Sequence, residues 1–73
     1  MDQDEIAEGI AKSGNEGSIT LDLSRRGLTM LPREIGNLTS LTYLDLRNNQ
    51  LTALPPGIGN LTNLTELYLS NNL

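Results

Sequence analysis

The strongest constraint on this chain is that it repeats itself. Displaced by 23 residues, segment 18–39 matches 41–62 at 12 of 22 positions, and 40–50 matches 63–73 at 6 of 11. Among the identities are Leu21/Leu44, Leu23/Leu46, Leu28/Leu51, Leu31/Leu54, Pro32/Pro55, Ile35/Ile58 and Leu38/Leu61. A fixed period of this length means that one short supersecondary unit recurs, and that neighbouring units share a core no single unit could close. The chain divides accordingly into residues 1–16, which do not repeat, and 17–73, made of 17–39, 40–62 and a partial 63–73.

The spacing within a unit predicts its path. The clearest copy runs from Leu41 through Leu44, Leu46, Asn49, Leu51, Leu54, Pro55 and Ile58 to Leu61. Leu44 and Leu46 flank one polar residue, so both point to the same side of a short strand. Leu51, Leu54, Ile58 and Leu61 follow at intervals of three and four, which suits a loose or 3₁₀-type return. Pro55 and Pro56 disfavour a long regular α-helix there. The first unit departs from the pattern, with Ser18 at a Leu position and Arg26 at the Asn position.

Residues 17–73, with their Leu-x-x-Leu-x-Leu-x-x-Asn core, resemble leucine-rich repeats. The Leu-Pro-x-x-Ile-Gly-Asn-Leu segment at a period of 23 is similar to the ras-suppressor type. The resemblance implies an α/β fold: a right-handed leucine-rich-repeat solenoid with a short curved parallel β-sheet on its concave face and irregular helical turns on the convex side. It implies that the Asn49 and Asn72 amides turn inward and bond backbone groups of neighbouring coils, a structural role. It also implies that the concave sheet binds a protein partner, with small GTPases suggested by analogy alone.

Alternation along the strands turns Thr20, Asp22, Ser24 and Arg25 outward in the first unit, Tyr43, Asp45, Arg47 and Asn48 in the second, and Glu66, Tyr68, Ser70 and Asn71 in the third. Tyr43, Tyr68 and Arg47 have the character of interface anchors. Asp22 beside Asp45 forms a short acidic ladder, and Glu66 completes the candidate binding set. The competing reading is a solvated face on which Arg47 pairs with an Asp across coils.

The two ends differ. Residues 2–13 read as a helix packed over the first coil as an N-terminal cap. Asp2 and Glu5 have capping-box spacing, Asp4 adds charge to the first turn, and Glu8 precedes Lys12 by four residues. Ile6, Ala7, Ile10 and Ala11 make an apolar stripe, and Gly14 is the expected residue just past the helix end. The last unit stops at Leu73, one residue short of the core leucine that its register calls for. The strand near Leu64–Leu69 is therefore expected to be an open edge, with Leu64, Leu67 and Leu69 partly covered and Tyr68 and Leu73 beside them. Two explanations stand: a fragment of a longer array, or a homo-oligomer in which a two-fold axis pairs residues 64–70 antiparallel.

Composition excludes several classes of function. The chain has no His and no Cys, so the commonest general base and the commonest soft metal ligands are missing. Asp22, Asp45 and Glu66 would lie splayed over an open surface, so no catalysis, metal or cofactor is expected. Gly57-Ile58-Gly59 begins like a phosphate loop but has Thr62 at the third glycine position, and the Asp2–Glu5 run lacks the glycine of a calcium loop. The net charge of −4 falls within residues 1–16, and the repeats are neutral, which argues against nucleic acid and anionic membranes. The start of the chain is acidic and amphipathic rather than signal-like, which predicts a cytoplasmic protein. Asn-x-Thr sequons at Asn37, Asn60 and Asn63 are explained by the repeat itself. The expected function is a non-catalytic protein-interaction module that also self-associates through its C-terminal edge. The alternative is a self-assembling structural unit, natural fragment or engineered, whose only partner is itself.

Overall fold

The computed structural model describes residues 3–73. One helix, α1 (Gln3–Glu16), precedes three short strands, β1 (Thr20–Asp22), β2 (Tyr43–Asp45) and β3 (Glu66–Tyr68). A 3₁₀ turn separates each strand from the next, first at Arg33–Asn37 and then at Pro56–Asn60. The strands form one parallel sheet in the order β1-β2-β3. Its register is the sequence period: Thr20 faces Tyr43, which faces Glu66, and Asp22 faces Asp45, which faces Tyr68. The backbone ladder continues past the strands through Leu23 N to Asp45 O (2.8 Å), Leu46 N to Tyr68 O (2.9 Å) and Asn48 N to Ser70 O (3.1 Å).

The helix is longer than its apolar stripe suggests. It runs to Glu16, and Gly17, not Gly14, is the residue past its end, with φ +64°. Ser18 N donates to Ser13 O (3.0 Å) and Gly17 N to Gly14 O (3.2 Å), the paired bonds of a Schellman closure. Gly14 serves packing instead: a Cβ built there would lie 3.0 Å from Leu38 Cδ2, a methyl of the first 3₁₀ turn's closing residue. Ile6 and Ile10 are buried, whereas Ala11 is exposed. Glu8 and Lys12 are both exposed and no ion pair joins them, so the expected helix pair does not form. The capping box of Asp2 with Glu5, the charge of Asp4 and the place of Ala7 in the stripe fall on Asp2, outside the described residues, or on side chains at 4, 5 and 7 that are not described.

The core joins helix and repeats. Ile6 and Ile10 meet Leu23, Leu28, Leu31, Ile35, Leu38, Leu41, Leu44, Leu46, Leu51 and Leu61 in a single apolar cluster. The second unit lies at its centre, where Leu41, Leu44 and Leu46 are wholly buried. Burial fades toward the third: Leu54, Ile58, Leu64 and Leu67 are only partly covered. The two 3₁₀ turns stack closely enough that a Cβ on Gly36 would lie 3.0 Å from the Gly57 backbone, so glycine at 36 sets the spacing of the turns.

Among the described residues three non-glycine residues have positive φ: Arg25 (57°), Asn48 (60°) and Asn71 (60°), one per unit and 23 residues apart. Here each strand turns toward the return path. Asparagine tolerates the left-handed region; arginine does so at a cost.

Candidate functional site

One face of the sheet carries the outward positions of all three strands as a three-by-three grid. Its first row is Thr20, Tyr43 and Glu66; its second is Asp22, Asp45 and Tyr68. Ser24, Arg47 and Ser70 continue the same offset in a third row. The proposed binding residues Asp22, Tyr43, Asp45, Arg47, Glu66 and Tyr68 therefore lie on one surface.

Arg47 organises that surface. Its Nε donates to Asp45 Oδ1 (3.0 Å) and its Nη2 to Asp45 Oδ2 (2.7 Å), while its backbone N–H donates to Oδ1 as well (3.0 Å). The pairing stays within one unit and does not run across coils. The same guanidinium lies over the Tyr68 ring, 5.0 Å from its centroid, and Tyr68 meets Tyr43 at 5.5 Å with the rings tilted by 56°. An outward-pointing carboxylate is thereby covered: Asp45 is only 2% exposed. The hydrogen bonds from Arg47 hold the Asp45 carboxyl below the usual carboxylate range, and the paired carboxylate raises the Arg47 pKa in turn. Partial burial, and then the charge of Asp45, pushes the Tyr43 phenol up.

Asp22 occupies the equivalent place in the first unit but has no arginine two residues on. Its Oδ1 accepts from Ser24 Oγ (2.6 Å) and Ser24 N (2.9 Å), bonds that lower its pKa, and the residue stays exposed. Glu66 is exposed as well. Among the described residues no group of His, Cys, Asp and Glu is arranged to hold a metal ion, and no helix is long and apolar enough to cross a membrane.

The two asparagines sit behind this face. Asn49 is buried; its Oδ1 accepts from Arg26 N (3.0 Å) and Leu28 N (3.1 Å), and its Nδ2 donates to Leu23 O (3.0 Å), Leu46 O (3.0 Å) and Arg47 O (3.3 Å). Asn72 repeats the pattern one unit on, accepting from Leu51 N (3.1 Å) and donating to Leu46 O and Leu69 O (2.9 Å each). Each amide thus ties a turn to the unit before it. The left-handed positions were missed by the sequence reading, although the doublets Asn48-Asn49 and Asn71-Asn72 held the signal. The second Asn of each makes the amide bonds; the first adopts positive φ, and Asn71 Nδ2 donates to Asn48 Oδ1 (2.9 Å).

At the far edge, β3 pairs on one side only. Leu64 and Leu67 are half-buried, Tyr68 and Leu69 are 37% and 39% exposed, and Leu73 is 83% exposed. A shallow hollow there is lined by Leu51, Leu54, Leu69 and Leu73. The strand is shorter than the stretch 64–70 expected to pair, and it spans Glu66–Tyr68. Of the sequon asparagines, Asn37 and Asn60 are exposed, while the Asn63 amide donates to Thr39 O (2.9 Å).

Residues 39–73 match the family model described as Leucine Rich repeats (2 copies). No curated protein matches the chain significantly.

Proposed function

Because this chain is a leucine-rich repeat protein, from a family whose repeats are generally protein-interaction modules and typically non-enzymatic, we propose that it is a non-catalytic module binding a protein partner through its sheet face. In this reading the chain is a short solenoid of the ras-suppressor type, the sheet is its concave surface, and α1 is its N-terminal cap. Burial of Ile6 and Ile10 against the first unit supports the cap. The observation that carries the function is the layered contact of Arg47, Tyr68 and Tyr43. Two partly exposed aromatic rings and a guanidinium already held in place lose little conformational freedom on binding, and such residues dominate interface energetics.

The test is selection from a displayed peptide library on the whole chain, followed by binding of the recovered sequences to variants. Tyr43→Ala and Tyr68→Ala are expected to abolish that binding while leaving the far-ultraviolet circular dichroism unchanged. Arg47→Ala is a poorer probe, since it leaves the covered Asp45 carboxylate without its partner. Binding indifferent to both tyrosines removes this face from the function.

A second reading, self-association through the β3 edge, is supported by the exposure of Leu69 and Leu73 and by the half-covered Leu64 and Leu67. A two-fold axis pairing residues 64–70 would cover them. Sedimentation across a wide concentration range decides: a dimer that dissociates on dilution supports this reading, and a concentration-independent monomer ends it.

A further inference from the structure

Resting on the interaction reading above, we propose that the sheet face takes an extended basic segment of the partner, in which two Lys or Arg residues four positions apart flank an apolar residue. The charge on the grid is unevenly cancelled. Asp45 is neutralised by a bidentate Arg47, but Asp22 and Glu66 have no cation on the grid, so its nine positions carry a surplus of negative charge. Arg26, in the turn beyond the grid, lowers the Asp22 pKa only as the least of five influences, after the two Ser24 bonds. Both Ser24 bonds fall on Oδ1 of Asp22.

Geometry turns this charge pattern into a spacing. Asp22 and Glu66 stand two strands and two residues apart in the register. At about 4.8 Å per strand and about 3.3 Å per residue, their backbones are about 12 Å apart on the diagonal. Four residues of extended chain span about 13 Å, and residues i, i+2 and i+4 point to the same side. The diagonal passes between Tyr43 and Asp45, beside the tilted Tyr43–Tyr68 pair, so the middle residue of the segment meets aromatic surface. A strand crossing the sheet in this way presents a cation to each exposed carboxylate and an apolar side chain to the rings. An acidic segment would set like charges against both ends.

The experiment uses the whole chain and three synthetic peptides, flanked identically: one with a central Lys-Thr-Leu-Thr-Lys, one with Glu-Thr-Leu-Thr-Glu, and one with the lysines brought two positions closer. Binding is measured at low and high salt to the natural chain and to Asp22→Asn, Glu66→Gln, Tyr43→Ala and Tyr68→Ala. Both carboxylates are exposed, and thermal melts confirm that the charge variants remain folded. The four-spaced basic peptide is expected to bind best, to weaken about threefold with each charge variant, and to lose that dependence at high salt. Equal binding of the basic and acidic peptides, or of the two lysine spacings, overturns the proposal. If the acidic peptide wins and its binding still needs the tyrosines, the face is a binding surface with a different occupant. If no binding depends on Tyr43 or Tyr68, the interaction reading itself falls, and this inference with it.

Discussion

Asn49 shows what one residue of this pattern has to do. Its carboxamide meets two backbone donors and three backbone acceptors, and three of these five groups, Arg26 N, Leu28 N and Leu23 O, belong to the preceding unit. Asn49→Ala leaves Leu28 N and Leu23 O without this partner in buried surroundings, at about 1–3 kcal/mol for each group left unsatisfied, whereas Leu46 O keeps the Asn72 amide and Arg47 O keeps Arg25 N. Asn72 makes the same kind of bonds in a more open place, where water can replace the amide. Chemical denaturation is therefore expected to show Asn49→Ala as the more damaging change by at least about 1 kcal/mol. Arg25 offers the opposite test. It holds φ 57° where the next two units have Asn, so Arg25→Asn is expected to stabilise the chain by about 0.5–1 kcal/mol, read as a higher midpoint. A lower midpoint would show that the arginine side chain contributes more than its backbone conformation costs. Acid should also act at this scale. Asp22 and Asp45 have lowered pKa values in the fold, so the stability they contribute is complete above the ordinary carboxylate value of 3.8 and is lost as pH falls through their folded values. The thermal midpoint should drop below about pH 4, and more gently in Asp22→Asn than in the natural chain.

Each element is shaped by its neighbour more than by its own preferences. Strands three residues long are marginal alone, and here each gains its partner at the repeat offset, with side-chain bonds from Thr42 Oγ1 to Ile19 O (3.2 Å) and from Thr65 Oγ1 to Thr42 O (3.0 Å) extending the ladder. The 3₁₀ turns are alike in sequence but not in burial: Ile35 is fully buried between α1 and the second turn, while Ile58 is partly exposed. Ile35→Ala is expected to cost about 2–5 kcal/mol and Ile58→Ala clearly less, a difference that thermal melts of the two variants would resolve. Equal losses would mean that Ile58 is covered in solution by something beyond this chain. The helix teaches a similar lesson. Its apolar stripe was legible, and Ile6 and Ile10 are where that stripe puts them. Its end was not, because Gly14 and Gly17 look alike in a sequence, and only the packing of Leu38 against Gly14 separates a close contact from a helix terminus.

Across the whole molecule, the period of 23 residues is the quantity that organises everything else. It set the strand register, the stacking of the turns, the recurrence of the left-handed residues and the alignment of the face on which Tyr43, Asp45, Arg47, Glu66, Tyr68 and Asp22 meet. Stability should be graded along the same axis. Amide exchange is expected to be slowest in the second unit, around Leu41–Leu46, and fastest in the third, where burial fades. Uniform protection from β1 to β3 would point to a covered edge, as self-association requires. By itself the sequence determined the repeating unit, its inward leucines and its outward face, because these follow from periodicity, which is local and survives in one dimension; the inward turn of the asparagines was implied by the resemblance to leucine-rich repeats. Only the tertiary structure decided that Arg47 folds back on Asp45 within its own unit, buries that carboxylate and leaves Asp22 and Glu66 exposed. Those outcomes depend on how a long flexible side chain is positioned by the ring across the strand, and spacing along a chain carries no information about that choice.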